Sequence, residues 1–172
     1  MTSSACRGRN PFSTGARETA WSSPHAALIH RLFAITPEDR FERQPRAGLG
    51  GHGRLVFAGR LDNREELADA LGIAPAALRE MAVSALCLAA IERWRLDAPA
   101  LLEGGFAFAL WKESERTLLL CRDKMGGRPL FYHRADGFIA FATTFNGLFC
   151  PSASAARDRR SRAGRFPGTE LL

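Results

Sequence analysis

Apolar residues follow two different spacings along this chain. From Pro75 to Trp94 they recur at intervals of three and four residues, which predicts one long helix. After residue 105 they form short runs separated by turn residues, which predicts consecutive strands. The four predicted strands are 106–111, 117–121, 130–133 and 138–143. An earlier apolar run, Arg54 to Leu61, has the density of a buried strand.

Polar residues and glycines mark the ends of two shorter helical segments. Asp62 and Asn63 follow the first predicted strand and are typical N-cap residues. A short helix is therefore expected after them, ending at Gly72, where a left-handed residue stops a helix at little cost. A further helical turn is predicted over residues 97–102.

The predicted strand 106–111 is apolar on both of its faces. One face carries Phe106, Phe108 and Leu110, and the other carries Ala107, Ala109 and Trp111. An antiparallel sheet with one solvated face alternates polar and apolar residues, so this sheet is expected to be covered on both sides. Helices on one face then require a second sheet on the other. The sequence predicts an α+β fold with four layers: helix, sheet, sheet, helix.

Composition divides the chain into three parts. A length of 172 residues with 46% hydrophobic content fits one ordinary domain. Residues 1–20 are rich in Ser, Thr, Gly and Arg and are predicted to be poorly ordered. Residues 21–149 hold the periodic apolar segments and are predicted to form the domain. Residues 150–172 lack such periodicity and are predicted to be a disordered basic tail.

The formal net charge of +6 raises the question of an anionic partner. Most basic residues are arginines scattered singly, and only residues 157–165, RDRRSRAGR, cluster them. No helix-turn-helix, zinc-finger or aromatic-basic pattern accompanies the cluster, so nucleic-acid binding is not expected. A binding module that docks through this tail to an acidic partner or RNA is kept as an alternative function.

The reactive side chains indicate neither a metal nor another cofactor. The four cysteines are widely spaced and are interpreted as reduced thiols, and the four histidines have no ligand-like spacing. The chain has neither the apolar stretch of a signal peptide nor an 18-residue apolar run. A cytoplasmic protein with no membrane association is expected.

Four motifs in a fixed order point to a known family. They are AGRLDN at 58–63, GFAFALW at 105–111, CRDKMGGRPLFY at 121–132 and FATT at 141–144. At this spacing they resemble the class II glutamine amidotransferase domain of asparagine synthetases, over about residues 21–149. The segment TPEDRFERQP at 36–45 and the GRLDN variant at 59–63 are most similar to the asparagine-synthetase-like cyclases that close lasso peptides.

This resemblance implies the N-terminal-nucleophile hydrolase fold, a four-layer αββα sandwich. The family's first strands have no apolar counterpart at the start of this chain, so the fold is expected to be incomplete at the N-terminus. The open sheet edge then predicts either a homodimer or poor solubility. In the family an N-terminal cysteine attacks the glutamine side-chain amide. Thr2 stands at that position here. Threonine is the nucleophile of other N-terminal-nucleophile enzymes, which makes Thr2 a catalytic candidate, whereas Cys6 would need a further cleavage to become terminal.

The resemblance also locates a vestigial substrate pocket. The family's oxyanion asparagine aligns with Ala58, and Gly59 retains the second, main-chain donor. The family has an acidic residue at the next position, where this chain has Arg60. The family's aspartate that holds the substrate's amino group aligns with Val83. Arg31 either matches the arginine that pairs with the substrate carboxylate or is an ordinary arginine at a strand end.

These substitutions favour a domain that keeps the fold without glutamine hydrolysis. Such a domain is expected to support a separate ATP-binding synthetase protein, acting in trans or as a truncated gene product, in an amide ligation such as lasso-peptide maturation. The enzymatic alternative is an active glutamine-hydrolysing amidotransferase that uses Thr2.

Overall fold

The computed structural model describes residues 17–148, which contain eight strands, five α-helices and three short 3-10 helices. The strands are β1 (Arg17–Ser22), β2 (Ala27–Leu32), β3 (Arg46–Gly48), β4 (Gly53–Gly59), β5 (Phe106–Lys112), β6 (Thr117–Arg122), β7 (Phe131–Ala135) and β8 (Phe138–Ala142). The helices are α1 (Arg64–Leu71), α2 (Pro75–Arg79), α3 (Val83–Trp94), α4 (Ala98–Leu101) and α5 (Phe145–Leu148). The four strands predicted after residue 105 and the predicted strand before α1 are all present.

An antiparallel sheet of four strands forms the centre of the domain, in the order β3-β4-β5-β6. The longest pairing joins β4 to β5, from Gly53 opposite Lys112 to Gly59 opposite Phe106. The turn from β5 to β6 contains Arg116, whose φ of 50° is left-handed. This register brings the end of β4 next to the start of β5, where the candidate site lies.

The helices cover one face of this sheet. Side chains from β4 and β5 pack there against α1 and α3 in a core that includes the largest fully buried residues of the domain. That core contains Leu55, Phe57, Leu67, Leu86, Ile91, Phe106, Phe108 and Leu110. Its aromatic rings stack, with Phe106 between Phe57 and Phe108.

Two β-hairpins cover the opposite face. The β1–β2 hairpin contributes Leu28 and Trp21, and the β7–β8 hairpin contributes Ile139 and Phe141. These residues pack on Ala109, Trp111, Leu118 and Leu120 of the central sheet. Burial of β5 on both faces, which its all-apolar alternation predicts, is confirmed. The domain is a mixed α and β fold with antiparallel sheets, and a complete fourth layer stays a prediction.

The single long helix predicted over residues 75–94 is wrong. The chain leaves the helix after Arg79, and Ala82 is extended with ψ of 152°, so α3 starts afresh at Val83. Arg64 explains the break, because its guanidinium donates to the carbonyl oxygens of Leu78 and Met81 at 3.3 and 2.9 Å. A side chain that satisfies the free carbonyls of a helix end stabilises that end.

The first strand lies partly inside the segment predicted to be poorly ordered. β1 begins at Arg17, whereas composition placed the start of the domain at residue 21. β1 is mostly polar, and pairing with β2 explains why it is nevertheless ordered, since only Trp21 and Thr19 turn inward. Within residues 17–148, none of the helices has the length and apolar content that crossing a lipid bilayer requires.

Candidate functional site

The candidate site is built on the end of β4 and the residue after it, Ala58, Gly59 and Arg60, here called the β4 turn. Backbone hydrogen bonds hold this turn against the loop before β5. The Arg60 N–H donates to the Gly105 carbonyl at 3.0 Å, and the Asp62 N–H donates to the Glu103 carbonyl at 2.8 Å. The β4 turn and the residues after it are therefore fixed against the loop before β5.

Gly59 is required by this close approach. Its φ is 132°, a value that residues with a side chain rarely adopt. A Cβ atom placed there would lie 2.2 Å from the Gly105 carbonyl oxygen and 2.7 Å from the Phe106 Cα. The glycine thus has a structural reason to be present that is independent of any catalytic donor.

Ala58 faces the space between the central sheet and the hairpins. It lies two residues from Val56, which packs in the hairpin-side cluster, so the two side chains share a face. The Ala58 methyl group has no hydrogen-bond donor to offer there. Arg60, the next position, pairs with Asp62 at 2.9 Å and its side chain is 78% exposed. The β4 turn presents a methyl group and a solvated ion pair.

Arg31 points away from this space. Alternation along β2 turns Leu28 and His30 toward the central sheet and leaves Ile29 and Arg31 outside. Outside, the Arg31 guanidinium forms a salt bridge with Glu18 at 2.8 Å, with both side chains about half exposed. The structure therefore places an ion pair, rather than the β4 turn, beside Arg31.

Val83 lies on the other side of the central sheet. It is the first residue of α3 and packs, partly buried, against the helix-side core. The Ala58 side chain faces the hairpins. The structure thus assigns the two positions to opposite faces, and Thr2 lies outside the described residues.

A buried polar cluster, formed by Glu42, Gln44, Arg46 and Ser84, lies beside the β4 turn. The Glu42 carboxylate accepts hydrogen bonds from the Ser84 hydroxyl and, at 3.4 Å, from the Ser84 N–H at the start of α3. Arg46 donates from Nε to the Ser84 hydroxyl at 2.8 Å and lies 3.6 Å from the Glu42 carboxylate. These contacts join the loop before β3 to the N-terminus of α3.

Gln44 connects this cluster to β4. Its side-chain amide donates to the Phe57 carbonyl at 3.0 Å, and its side-chain oxygen accepts the Phe57 N–H at 2.6 Å. The amide therefore pairs with β4 as one more residue of a neighbouring strand would. Because Phe57 directly precedes Ala58, Gln44 fixes the entry to the β4 turn.

His30 approaches the cluster from the hairpin side. Burial lowers the pKa of His30 below its usual value, while the nearby Glu42 carboxylate and the Phe57 carbonyl partly oppose that shift. The neutral imidazole is the form that folding favours. Ser84, the one hydroxyl of the cluster, is fully buried and bonded on two sides, so the cluster holds elements together and offers no accessible nucleophile.

Asp123 organises the loop after β6. Its buried carboxylate accepts the main-chain N–H groups of Phe106, Gly127 and Arg128 at 3.2, 2.9 and 3.1 Å. These hydrogen bonds, with that of Gly127 first, lower the pKa of Asp123 below its usual value. For Arg122 and Asp123 the sequence predicts a structural ion pair or a loop-fixing hydrogen bond rather than an acid–base couple, and the contacts of Asp123 are those of a loop-fixing hydrogen bond.

The remaining reactive groups of residues 17–148 do not assemble into a site. Burial raises the pKa of the Cys121 thiol to about 11 and raises that of the fully buried Cys87 still further. Within this range the structure has no group of three or more His, Cys, Asp and Glu residues placed to hold a metal ion.

Replacing Gln44 by Ala is expected to lower the free energy of unfolding by about 1–3 kcal/mol, because the buried Phe57 N–H loses its acceptor. Urea unfolding measures this change. Thr19→Val is the control, since it removes a hydroxyl that donates to the main-chain oxygen of the same Gln44 and leaves the side-chain contacts intact. A Gln44→Ala protein as stable as Thr19→Val would contradict the role assigned to the amide.

Asp123→Asn is expected to destabilise the protein at neutral pH, and the difference from the unmodified chain should shrink in acid. The pKa of Asp123 is lowered by folding, so its stabilising contribution is present above the ordinary aspartate pKa and is lost as the pH falls through the folded-state pKa. Unfolding curves between about pH 7 and about pH 3 test this. Asp69→Asn, the same change at an exposed position, is measured alongside as the reference, and a gap for Asp123→Asn that is constant with pH would refute the assignment.

Comparison with known proteins shows what this chain is similar to. A family described as "Glutamine amidotransferase domain" matches residues 7–163. An asparagine synthetase (glutamine-hydrolysing) 3 of Bacillus subtilis is 26% identical over 162 residues, which cover 88% of this chain and 26% of that protein. Asparagine synthetase (glutamine-hydrolysing) 1 of the same organism is 27% identical over 94 residues, covering 55% of this chain and 15% of that protein. The chain thus spans about a quarter or less of the length of these relatives.

The buried polar cluster is what sequence reasoning misses. The Gln44–Pro45 pair is visible as a motif, but Glu42 and Ser84 are far apart in the chain and nothing in the sequence joins them. The alternation of β2 was the available signal for His30, since it sends His30 inward and Arg31 outward.

Proposed function

The chain belongs to the glutamine amidotransferase domain family, and from that premise we propose that it is a domain of an asparagine-synthetase-type amide ligase that does not itself hydrolyse glutamine. The observation that carries the proposal is the β4 turn. Ala58 presents a methyl group where the resemblance implies an oxyanion donor. Loss of one such side-chain donor costs about 100-fold or more in rate.

The surroundings of the turn support the same proposal. A glutamine α-carboxylate needs a free cation, and Arg31 is engaged by Glu18 on the outer face of the hairpin. Arg60 replaces an acidic residue of the family and pairs with Asp62 in solvent. Gly59 and Gln44 are explained by the packing of β4. The retained residues therefore serve the fold, and the replaced ones are those that would contact a substrate.

The structural role follows from what remains intact. The central sheet has a well-packed core on both faces, so the domain offers a rigid surface to a second protein. We propose that this partner is an ATP-binding synthetase, and that the ligation is of the lasso-peptide cyclase kind. The TPEDRFERQP segment and the GRLDN variant support the cyclase assignment. In this proposal the sandwich completes its fourth layer as in other N-terminal-nucleophile hydrolases.

A covalent probe tests the loss of chemistry. The full chain is incubated with 6-diazo-5-oxonorleucine, a glutamine analogue whose diazo ketone alkylates the nucleophile of active amidotransferases. The intact mass is expected to stay unchanged. An adduct that maps to Thr2 would overturn the proposal and establish the alternative of an active amidotransferase.

The genomic neighbourhood tests the ligase assignment. A synthetase reading frame and a short precursor peptide beside this gene are expected, and the purified synthetase should co-elute with the chain in size-exclusion chromatography with or without glutamine. A neighbourhood that has a synthetase and no precursor peptide would contradict the lasso-peptide assignment. A synthetase that elutes separately would contradict the scaffold role.

A further inference from the structure

An arginine-lined cleft lies between the start of β1 and the start of β3. Its volume is about 450 Å³, and Arg17, Arg43 and Arg46 converge on it, with Thr19, Pro45 and Ala47 as further walls. No acidic side chain lines it among the described residues. We propose that this cleft binds a small, multiply charged oxyanion of the phosphate type. The inference goes beyond the proposed function, which assigns no ligand to this part of the domain.

Two of the arginines are held close together by one main-chain oxygen. Arg17 Nη2 donates to the Glu42 carbonyl at 2.5 Å, and Arg43 Nη1 donates to the same oxygen at 2.8 Å. Their donor nitrogens are therefore at most roughly 5 Å apart, a distance at which like charges repel. Arg43 is fixed further by a bond to the Arg40 carbonyl at 2.9 Å. The two guanidinium groups are oriented by carbonyls, and no acidic side chain within residues 17–148 forms a salt bridge with either of them.

The nearby carboxylates are already engaged elsewhere. Glu42 turns its carboxylate to Ser84 and Arg46. Glu18 pairs with Arg31 on the outer face of the hairpin. Neither Arg17 nor Arg43 forms a salt bridge with an acidic residue within 17–148. Arg46 is paired with Glu42, so Arg17 and Arg43 leave the cleft with a net charge of about +2.

This arrangement suits an oxyanion ligand. A guanidinium keeps several N–H donors after it has given one to a carbonyl, and it binds phosphate and carboxylate groups through paired hydrogen bonds. A phosphate brings two negative charges in a compact volume and so offsets the repulsion between Arg17 and Arg43 better than separated carboxylates do. Both arginine side chains lie on the surface, so a solvated anion reaches them directly.

Calorimetric titration of the full chain with inorganic phosphate tests the proposal. The variant Arg17→Gln/Arg43→Gln is expected to bind at least 10-fold more weakly, because both uncompensated charges are gone. The control is Arg79→Gln, which removes an exposed arginine of α2 and should bind as the unmodified chain does. The arginine-rich segment at 157–165 is the same in all these proteins, so its contribution cancels.

Three further results decide the outcome. Arg17→Lys/Arg43→Lys keeps the charge and should retain part of the affinity, which separates loss of charge from loss of fold. Pyrophosphate should bind at least as tightly as phosphate, and succinate more weakly; tighter succinate binding would overturn the phosphate assignment. Equal phosphate affinity for the unmodified chain and Arg17→Gln/Arg43→Gln, or an equal loss in Arg79→Gln, would overturn the site itself.

Discussion

Gly59→Ala is expected to lower the free energy of unfolding by about 3 kcal/mol or more, a loss large enough to threaten a domain of ordinary stability. Two effects act together. The left-handed φ of 132° strains any residue with a Cβ, and that Cβ would overlap the Gly105 carbonyl oxygen at 2.2 Å. The nearest atoms, the Gly105 carbonyl oxygen and the Phe106 Cα, belong to the backbone rather than to a flexible side chain. The overlap can therefore be relieved only if β4 and the loop before β5 separate. Urea unfolding measures the change.

Gly51→Ala is the matched control for this prediction. Gly51 also has a left-handed φ, at 89°, but nothing lies within 4 Å of its Cβ position. Its cost is the conformational strain alone, about 1–2 kcal/mol. The difference between the two variants thus isolates the clash at the β4 turn. Equal losses of unfolding free energy for Gly59→Ala and Gly51→Ala would show that the close approach of Gly105 does not explain why residue 59 is glycine. Its role as a main-chain oxyanion donor would then be the better explanation.

Glu42→Ala is the second variant with a large expected effect, about 2–4 kcal/mol of lost unfolding free energy. The change leaves the fully buried Ser84 hydroxyl and N–H without their acceptor and removes the partner of Arg46. Because Glu42 is only 4% exposed, water does not replace the missing oxygens. Thermal and urea unfolding both report the loss.

Glu18→Ala provides the comparison for Glu42. Both glutamates pair with an arginine, but the Glu18–Arg31 pair is about half exposed. Exposed pairs of this kind contribute about 0–1 kcal/mol. If Glu42→Ala and Glu18→Ala lost the same unfolding free energy, the buried polar cluster would not hold the loop before β3 to α3.

The strands after residue 105 were predictable because their signal is local. Alternation of apolar residues in Phe106–Lys112 fixes both the strand and its burial on two faces, and the turn residues between strands divide the run. The β7–β8 hairpin was predictable from Asp136 and Gly137, whereas the β1–β2 hairpin was not, since it joins a mostly polar strand to its neighbour. β1 is ordered by its pairing with β2 and not by its own apolar residues.

The break between α2 and α3 shows where local reasoning fails. Residues 75–94 keep helical periodicity throughout, and the two contacts that end one helix and start the next come from Arg64 and Glu42. Tertiary hydrogen bonds of this kind override helix propensity without changing the sequence pattern. The break matters for the site, because it aligns the Ser84 N–H with the Glu42 carboxylate.

The part of the candidate site that is contiguous in sequence was predictable, and the part that depends on tertiary contacts was not. The β4 turn is contiguous in sequence, so Ala58, Gly59 and Arg60 were found by their motif, and the structure adds the geometric reason for Gly59. The placement of Arg31 and Val83 depends on strand alternation and on which sheet face a helix covers. Thr2 lies outside the described residues and stays a prediction.

The central claim is that this amidotransferase domain does not hydrolyse glutamine, and release of glutamate and ammonia from glutamine by the purified full chain tests it most directly. We expect no turnover above a heat-denatured sample, and no difference between the unmodified chain and Thr2→Ala. Turnover by the unmodified chain that disappears in Thr2→Ala would contradict the claim and establish an active enzyme.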